Sequence, residues 1–308
     1  MIECAEMRDK RHGAASDAGG LAPLTTLFET RRGGRLPLPP RLARLYGCLR
    51  MPMPRTRPHV FSNFVTTLDG VVSLNTKGHA SGGDISGFSA QDRMVMGLCR
   101  AIADVVIIGT GTLSADRRHV WTAPAIFPEL ADEYRQLSEA LGQRGPPLNV
   151  IVSGSGRVDL RLPVFTSGKV PALIITTTAG AKRLREQSGA TSVEIRAIRG
   201  SANAIPASAI LVEVCRTRPG KRILIEGGPR LLGDFYAEQL VDEQFLTLAP
   251  QIAGRDTGDR RLSLVMGKVF APGDPLWGTM IDVRHGGSHL FLRYSFPEPR
   301  PGQRTGRK

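Results

Sequence analysis

Between residues 59 and 250 short, unbroken apolar runs alternate with segments of helical periodicity, and this alternation limits the chain to few architectures. The apolar runs are 59-HVFSNFVTT-67, 104-DVVIIG-109, 148-LNVIVS-153, 172-ALIITT-177, 192-SVEIRAI-198, 221-KRILIEG-227 and 243-EQFLTLAP-250. The helical segments are 89-SAQDRMVMGLCRAIA-103, 128-PELADEYRQLSEALG-142, 179-AGAKRLREQ-187, 203-NAIPASAILVEVCR-216 and 229-PRLLGDFYAEQL-240. Runs this short and this apolar are strands covered on both faces, and strands separated by helices pair in parallel. Ser89 is a good N-cap, with Asp92 supplying the acidic half of a capping pattern. Pro229 sits in a first turn, where a helix tolerates proline. Beyond residue 262 the pattern changes to three strands, 262-LSLVMGKVF-270, 279-TMIDVRH-285 and 288-SHLFLRYSF-296, the last two joined by a hairpin at 285-HGGS-288. The expected class is therefore α/β, a mostly parallel central sheet flanked by helices and closed by an antiparallel C-terminal edge.

Residues 1–57 lack this pattern and read as an N-terminal extension that either wraps the domain or stays partly mobile. Within it, 40-PRLARLYGCL-49 predicts one short helix with proline at its start, and Met51 or Met53 is an alternative first residue. Residues 58–297 read as one domain without internal repeats, and 298–308 as a basic, flexible tail.

The formal charge of +13 raises nucleic-acid binding as a possibility. The basic stretches 31-RRGGR-35 and 300-RPGQRTGRK-308 lie in Pro/Gly-rich surroundings, and neither a zinc finger nor an aromatic RNA-binding motif accompanies them, so nucleic acid is not the expected partner. No apolar run approaches the roughly 20 residues of a membrane span. The four cysteines are scattered, which argues against a zinc site or a disulfide framework and fits a cytoplasmic protein.

Three turns carry the chemistry. In 222-RILIEGGPRLLGDFYAEQLVDE-243 a buried strand ends at Glu226, two glycines follow, and a helix starts at Pro229. The glycines let a ligand approach the backbone, and the helix start suits a phosphate. Glu226 is either a ligand-binding group or a cap of its own loop. In 105-VVIIGTGTLSADRRHVW-121 a strand runs into Gly109, Thr110, Gly111 and Thr112. Ser114 replaces the third glycine of a dinucleotide fingerprint, so a plain Rossmann reading fails. A third turn, 153-SGSGR-157, follows another strand. If the strands are parallel, all three face one crevice, which makes a nucleotide site plausible. The long loop in 65-VTTLDGVVSLNTKGHASGGDISGFSAQDR-93 is either a lid over substrate or a solvated segment with Asp92 as a helix N-terminal charge.

T-L-D-G at 67–70, A-D-V-V-I-I-G-T-G-T-L-S-A-D at 103–116, and E-G-G-P-R-L-L-G followed by L-V-D-E and A-P-Q-I-A-G resemble the reductase domain of bacterial riboflavin biosynthesis. The resemblance spans roughly residues 58–296. It implies a dihydrofolate-reductase-like fold, a homodimer, and NADPH-dependent reduction of a ribosylamino-pyrimidine or a pterin-like compound. By the same resemblance, Thr67, Gly109, Thr110, Gly111, Thr112, Asp116, Ser153 and Ser155 lie at the cofactor, and Gly227, Gly228, Pro229, Arg230 and Leu231 cradle its pyrophosphate. Arg157 would suit a 2′-phosphate. Asn63, Ser86 and Asp92 face substrate or nicotinamide, with Asp92 the candidate proton donor and Glu226, at the cofactor–substrate junction, the alternative. Relatives that reduce the phosphorylated pyrimidine usually continue D-D-P-x-L-T-x-R, whereas this chain reads 116-DRRHVWTAP-124. Arg117 or Arg118 is the expected replacement for the lost phosphate contact. The altered segment leaves open a different heterocyclic substrate, and a nucleotide-binding protein without turnover remains a further alternative.

Overall fold

In the computed structural model, which describes residues 20–52, 57–187, 193–199 and 205–296, ten strands form one sheet. They are β1 (Thr25–Glu29), β2 (His59–Thr66), β3 (Val105–Gly109), β4 (Leu148–Ser153), β5 (Ala172–Thr177), β6 (Glu194–Ile198), β7 (Arg222–Ile225), β8 (Glu243–Leu248), β9 (Thr279–Gly286) and β10 (His289–Ser295). Their spatial order is β1-β9-β10-β8-β2-β7-β3-β4-β5-β6. From β8 to β6 every neighbour is parallel. β10, β9 and β1 add the antiparallel edge. The extreme termini, with the basic tail at 298–308, lie outside the described residues.

The continuous apolar runs are explained by two cores, one on each face. Phe61, Val106, Ile108, Ile151, Ile174 and Leu224 point to one side. Their chain neighbours Val60, Val105, Ile107, Val150, Leu173 and Ile223 point to the other. Successive strand residues face opposite ways, so a strand covered on both sides is apolar at most positions; Glu194–Ile198, partly exposed at the end of the sheet, departs from the expected two-sided burial. The first face carries α1 (Pro40–Tyr46), α3 (Ala90–Ile102) and α5 (Ala131–Ala140), which contribute Leu42, Leu98 and Leu137. The second carries α7 (Ala207–Thr217) and α8 (Pro229–Ala237), which contribute Ile210 and Phe235. Two short helices border the sheet's C-terminal edge, α2 (Gly82–Ser86) and α4 (Thr110–Ala115), and α6 (Thr178–Gln187) follows β5.

Several sequence expectations need correction. The segment 262–270 is not a sheet strand; only Leu262–Ser263 is extended, paired with Val71–Ser73. Its Leu264, Val265 and Phe270 pack on the second core instead, and Met266 N–H donates to the Pro229 carbonyl, so the segment covers α8. The long loop before α3 contains α2, started by a full capping box between Ser81 and Asp84. The turn after Gly109 becomes α4 at once. In the N-terminal stretch, Thr25–Glu29 is the sheet's edge strand, a role its sequence did not announce.

Candidate active site

Strand order brings the glycine-rich turns together. β2, β7, β3 and β4 are adjacent and parallel, with Ile225 opposite both Ser62 and Ile107 and Gly109 opposite Val152. In such sheets ligands bind beyond the C-terminal strand ends, and here those ends border a cleft of about 440 Å³. Its walls come from Asn63 of β2, Ser86 at the end of α2, one face of α3, the α4 turn, and Glu226 to Pro229.

Two of the turns interlock. A Cβ on Gly227 would stand 2.1 Å from Thr112 Oγ1, so only glycine fits against α4. Gly228 has φ +84 and lies against Gly109, whose N–H donates to the Gly227 carbonyl at 3.3 Å. Gly111 faces open space. α8 starts at Pro229 without a side-chain cap, which leaves first-turn N–H groups and the positive end of the helix dipole at the cleft.

The floor is charged. Arg100, only 3% exposed, directs Nε to Glu226 Oε2 at 2.7 Å. Burial pushes the Glu226 carboxyl pKa up, and Arg100 pulls it back. Glu226 Oε1 is buried with no hydrogen-bond partner. Arg100 Nη1 lies 2.5 Å from His119 Nε2, and burial together with Arg100 lowers the His119 pKa to about 3. His119 is therefore a neutral acceptor. Its Nδ1 stands 3.6 Å from Asp116 Oδ2, beyond direct hydrogen-bond range.

Asp92 borders the same cleft. Its backbone N–H is capped by Ser89 Oγ at 3.3 Å, as its position in the sequence predicts. Its carboxyl, however, faces the Thr247 and Ser86 hydroxyls, and burial raises its pKa. Among the described residues no cation stands at ion-pair distance from it as Arg100 does from Glu226, although His289 and Arg93 lower its pKa from further away. Two buried carboxyls thus occupy one site, both with pKa values raised by burial, and Arg100 opposes that rise at Glu226.

Of the residues singled out from sequence, Asn63, Ser86, Asp92, Gly111, Thr112, Asp116, Glu226, Gly227, Gly228 and Pro229 line the cleft. Gly109 and Thr110 stand just behind them at the β3–α4 junction. Thr67 is fully buried and bonds Asp69 and the Val71 N–H, bracing the T-L-D-G turn. Ser153 and Ser155 accept from Gly156 and Arg157 within their own turn, one strand further along the sheet edge, and Arg157 is exposed beside it. Leu231 faces the second core and Arg230 is exposed. Arg117 turns to Asp159 at 2.6 Å, and neither it nor exposed Arg118 lines the cleft. Sequence reasoning missed Arg100 and His119. The available signal was the spacing of Arg93, Met96 and Arg100, three and four apart on one helix face, all three in the cleft.

The comparisons agree with this geometry. The model of the RibD C-terminal domain matches residues 58–265. The 2,5-diamino-6-ribosylamino-4(3H)-pyrimidinone 5′-phosphate reductase of Archaeoglobus fulgidus is 27% identical over 202 residues, 65% of this chain and 84% of the relative. A pyrimidine reductase-like protein from Corynebacterium diphtheriae superposes with a TM-score of 0.60 at 20% identity, over 79% of this chain and 93% of that one. Acinetobacter baumannii RibD gives a TM-score of 0.55 at 20% identity, over 78% of this chain and 58% of its own length. At such identities the structural matches speak for the fold, which is the dihydrofolate-reductase-like fold of RibD-type reductases. With the family match spanning most of the sheet and every wall of the cleft, the chain belongs to the RibD C-terminal domain family.

Proposed function

We propose that this protein reduces a ribosylamino-pyrimidine precursor of riboflavin to its ribitylamino form, with NADPH as the reductant. The observation that carries the reading is the single cleft in which an uncapped helix N-terminus, an open glycine turn and two buried carboxyls of unlike surroundings meet. These features fit a dinucleotide. First-turn N–H groups of α8 and the Gly227–Gly228 backbone would hold the pyrophosphate, and Gly111 leaves room beside it. The unpaired Glu226 Oε1 awaits a donor. When bound, NADPH supplies the hydride.

The chain's own residues supply the rest. Asp92, whose pKa burial raises, donates a proton to the nitrogen of the opened ribosylamine as hydride reaches its carbon. Glu226, paired with Arg100, orients the polyhydroxyl chain. Asn63, behind the carboxyls on β2, meets the heterocycle. Arg157, within the Ser153–Arg157 turn, and Arg183, which donates to the Ser155 carbonyl, suit the 2′-phosphate that distinguishes NADPH from NADH. We place this activity in the cytoplasm and in a homodimer.

A second reading, reduction of another heterocycle, is favoured by the 116–123 segment, where Trp121 is buried and Arg117 faces away. Thermal-shift titrations with NADPH and NADH, followed by turnover assays with the pathway pyrimidine and with dihydrofolate, decide between them. The expected result is a larger shift with NADPH and turnover of the pyrimidine alone. No shift with either nucleotide, at concentrations about a hundredfold above a micromolar Kd, overturns the reductase assignment.

A further inference from the structure

Arg100 uses all three guanidinium nitrogens. Nε donates to Glu226 Oε2 at 2.7 Å. Nη1 faces His119 Nε2 at 2.5 Å and donates to the Thr122 carbonyl at 3.2 Å. Nη2 reaches Met96 Sδ at 3.4 Å. The brace continues outward. The His119 ring meets Trp121 edge-on with centroids 5.3 Å apart. The buried Asn149 side chain clamps Trp121 through both its backbone N–H, at 2.9 Å, and its carbonyl, at 3.1 Å. A guanidinium held at this many points cannot swing to follow a ligand. Its partner Glu226, 3% exposed, is left with one oxygen engaged and one bare.

A buried carboxylate oxygen without a partner is costly unless a ligand completes it. The charge decides what kind of ligand group does so. A hydroxyl or N–H is attracted, while a phosphate is repelled at this point.

We propose that Arg100 is a positioning residue of this site: braced by His119 and Trp121, it keeps Glu226 ionised with Oε1 free, and that oxygen selects a sugar hydroxyl or N–H donor and rejects an anion. The proposal rests on the reductase reading for the identity of the sugar, which belongs either to the substrate or to the nicotinamide nucleoside. The altered segment at 116–123 thereby acquires a role. Instead of contacting a phosphate, it carries the brace for Arg100.

The first test needs no ligand. Melting temperatures of wild type, Arg100→Gln, Glu226→Gln and the double variant are measured at pH 5 and pH 8. Without Arg100 the folded pKa of Glu226 rises further above its unfolded value of about 4.3. Stability from the protonated form is fully present below the unfolded pKa and is lost as pH rises through the folded one. The deficit of Arg100→Gln relative to wild type is therefore larger at pH 8 than at pH 5, and the double variant loses this pH dependence. A deficit equal at both pH values, or a pH dependence undiminished in the double variant, overturns the proposal. Arg100→Lys keeps the charge and restores part of the pH 8 loss; it carries the same comparison should the glutamine variant not fold.

The second test assigns the donor. NADPH affinity is read by fluorescence titration and substrate KM by steady-state assay. A tenfold or greater rise in KM for Glu226→Gln with unchanged NADPH affinity places the donor on the substrate, and the reverse places it on the nicotinamide nucleoside. If neither moves, the selecting role is wrong. If wild type neither binds NADPH nor turns over, the reductase reading has failed, and the melting data still decide the role of Arg100.

Discussion

Arg284 and Arg100 are both withdrawn from solvent and both face a carboxylate with one unpartnered oxygen, yet only the second pair borders a cleft. Arg284 Nε and Nη2 bond Asp282 at 3.2 and 3.0 Å. Nη1 reaches Thr26 Oγ1 and the Tyr46 carbonyl, and Nη2 the Cys48 carbonyl and Glu29. The guanidinium also lies 4.4 Å over the Tyr46 ring. These contacts fasten residues 26–48 to β9, a stretch that local sequence leaves without strong structural preference. Arg100 makes a comparable number of bonds, and Glu226, like Asp282, keeps one oxygen without a hydrogen-bond partner, but Glu226 lines the cleft. The difference is one of purpose. A buried ion pair that is enclosed contributes mainly geometry, because desolvation offsets most of its attraction. A pair whose incompletely bonded carboxylate belongs to a residue lining a cavity is poised for a ligand.

The largest effect expected on the open side is at Asp92. Asp92→Asn lowers kcat by about 10²–10⁴-fold, the usual contribution of a general acid, with NADPH affinity unchanged. Because burial raises the Asp92 pKa, wild-type activity falls as pH rises through that value, and the variant loses this alkaline limb. A pH–rate profile of both proteins checks it; retention of the limb in the variant assigns the acid elsewhere. At the antiparallel edge, Arg284→Ala removes both hydrogen bonds that Asp282 accepts from it, leaves Arg293 Nη1 at 3.6 Å as its remaining cation among the described residues, and costs about 3–5 kcal/mol of stability. Urea denaturation measures this, and the contrast between the two arginines predicts that the protein remaining folded binds NADPH as before. A loss of binding in step with stability would merge the two regions into one cooperative site.

A smaller effect tests the glycine turn of the cleft. Gly227→Ala forces Thr112 and α4 to shift, costs about 1–3 kcal/mol by overpacking, and weakens NADPH binding. Gly111→Ala, with nothing nearby for its Cβ to meet, is the matched control for packing. The smallest effect is at Arg117. Its ion pair with Asp159 is solvent-exposed, so Arg117→Ala leaves both melting temperature and substrate KM within error. A tenfold rise in KM would instead return the substrate contact to that arginine.

Much of the fold is legible in the chain because it is local. Each parallel strand announces itself by an apolar run, and Ser89 and Pro229 mark helix starts that the structure keeps. Segment 262–270 misleads because apolar content alone does not separate a strand from a covering strap; its side chains pack on α8 rather than pairing. The edge strand Thr25–Glu29 is hidden for the converse reason. Its side chains are mostly exposed, and its register depends on β9, more than 250 residues away. Among site residues, the glycine turns and the two carboxyls stand out, since backbone freedom and strand-end position can be read along the chain. Thr67 and Leu231 look similar in sequence to their cleft-lining neighbours, and only the direction of each side chain separates them.

By itself the sequence determined the strand–helix alternation, the two-sided burial of the sheet and the chemistry at each strand end, because these depend on neighbours a few residues apart. The tertiary structure alone decided that β7 inserts between β2 and β3. That insertion sets Glu226 against Arg100 across 126 residues of chain and leaves one of its oxygens bare. Pairing of this kind is chosen by the burial of whole faces and the saturation of backbone hydrogen bonds, and no local periodicity encodes it.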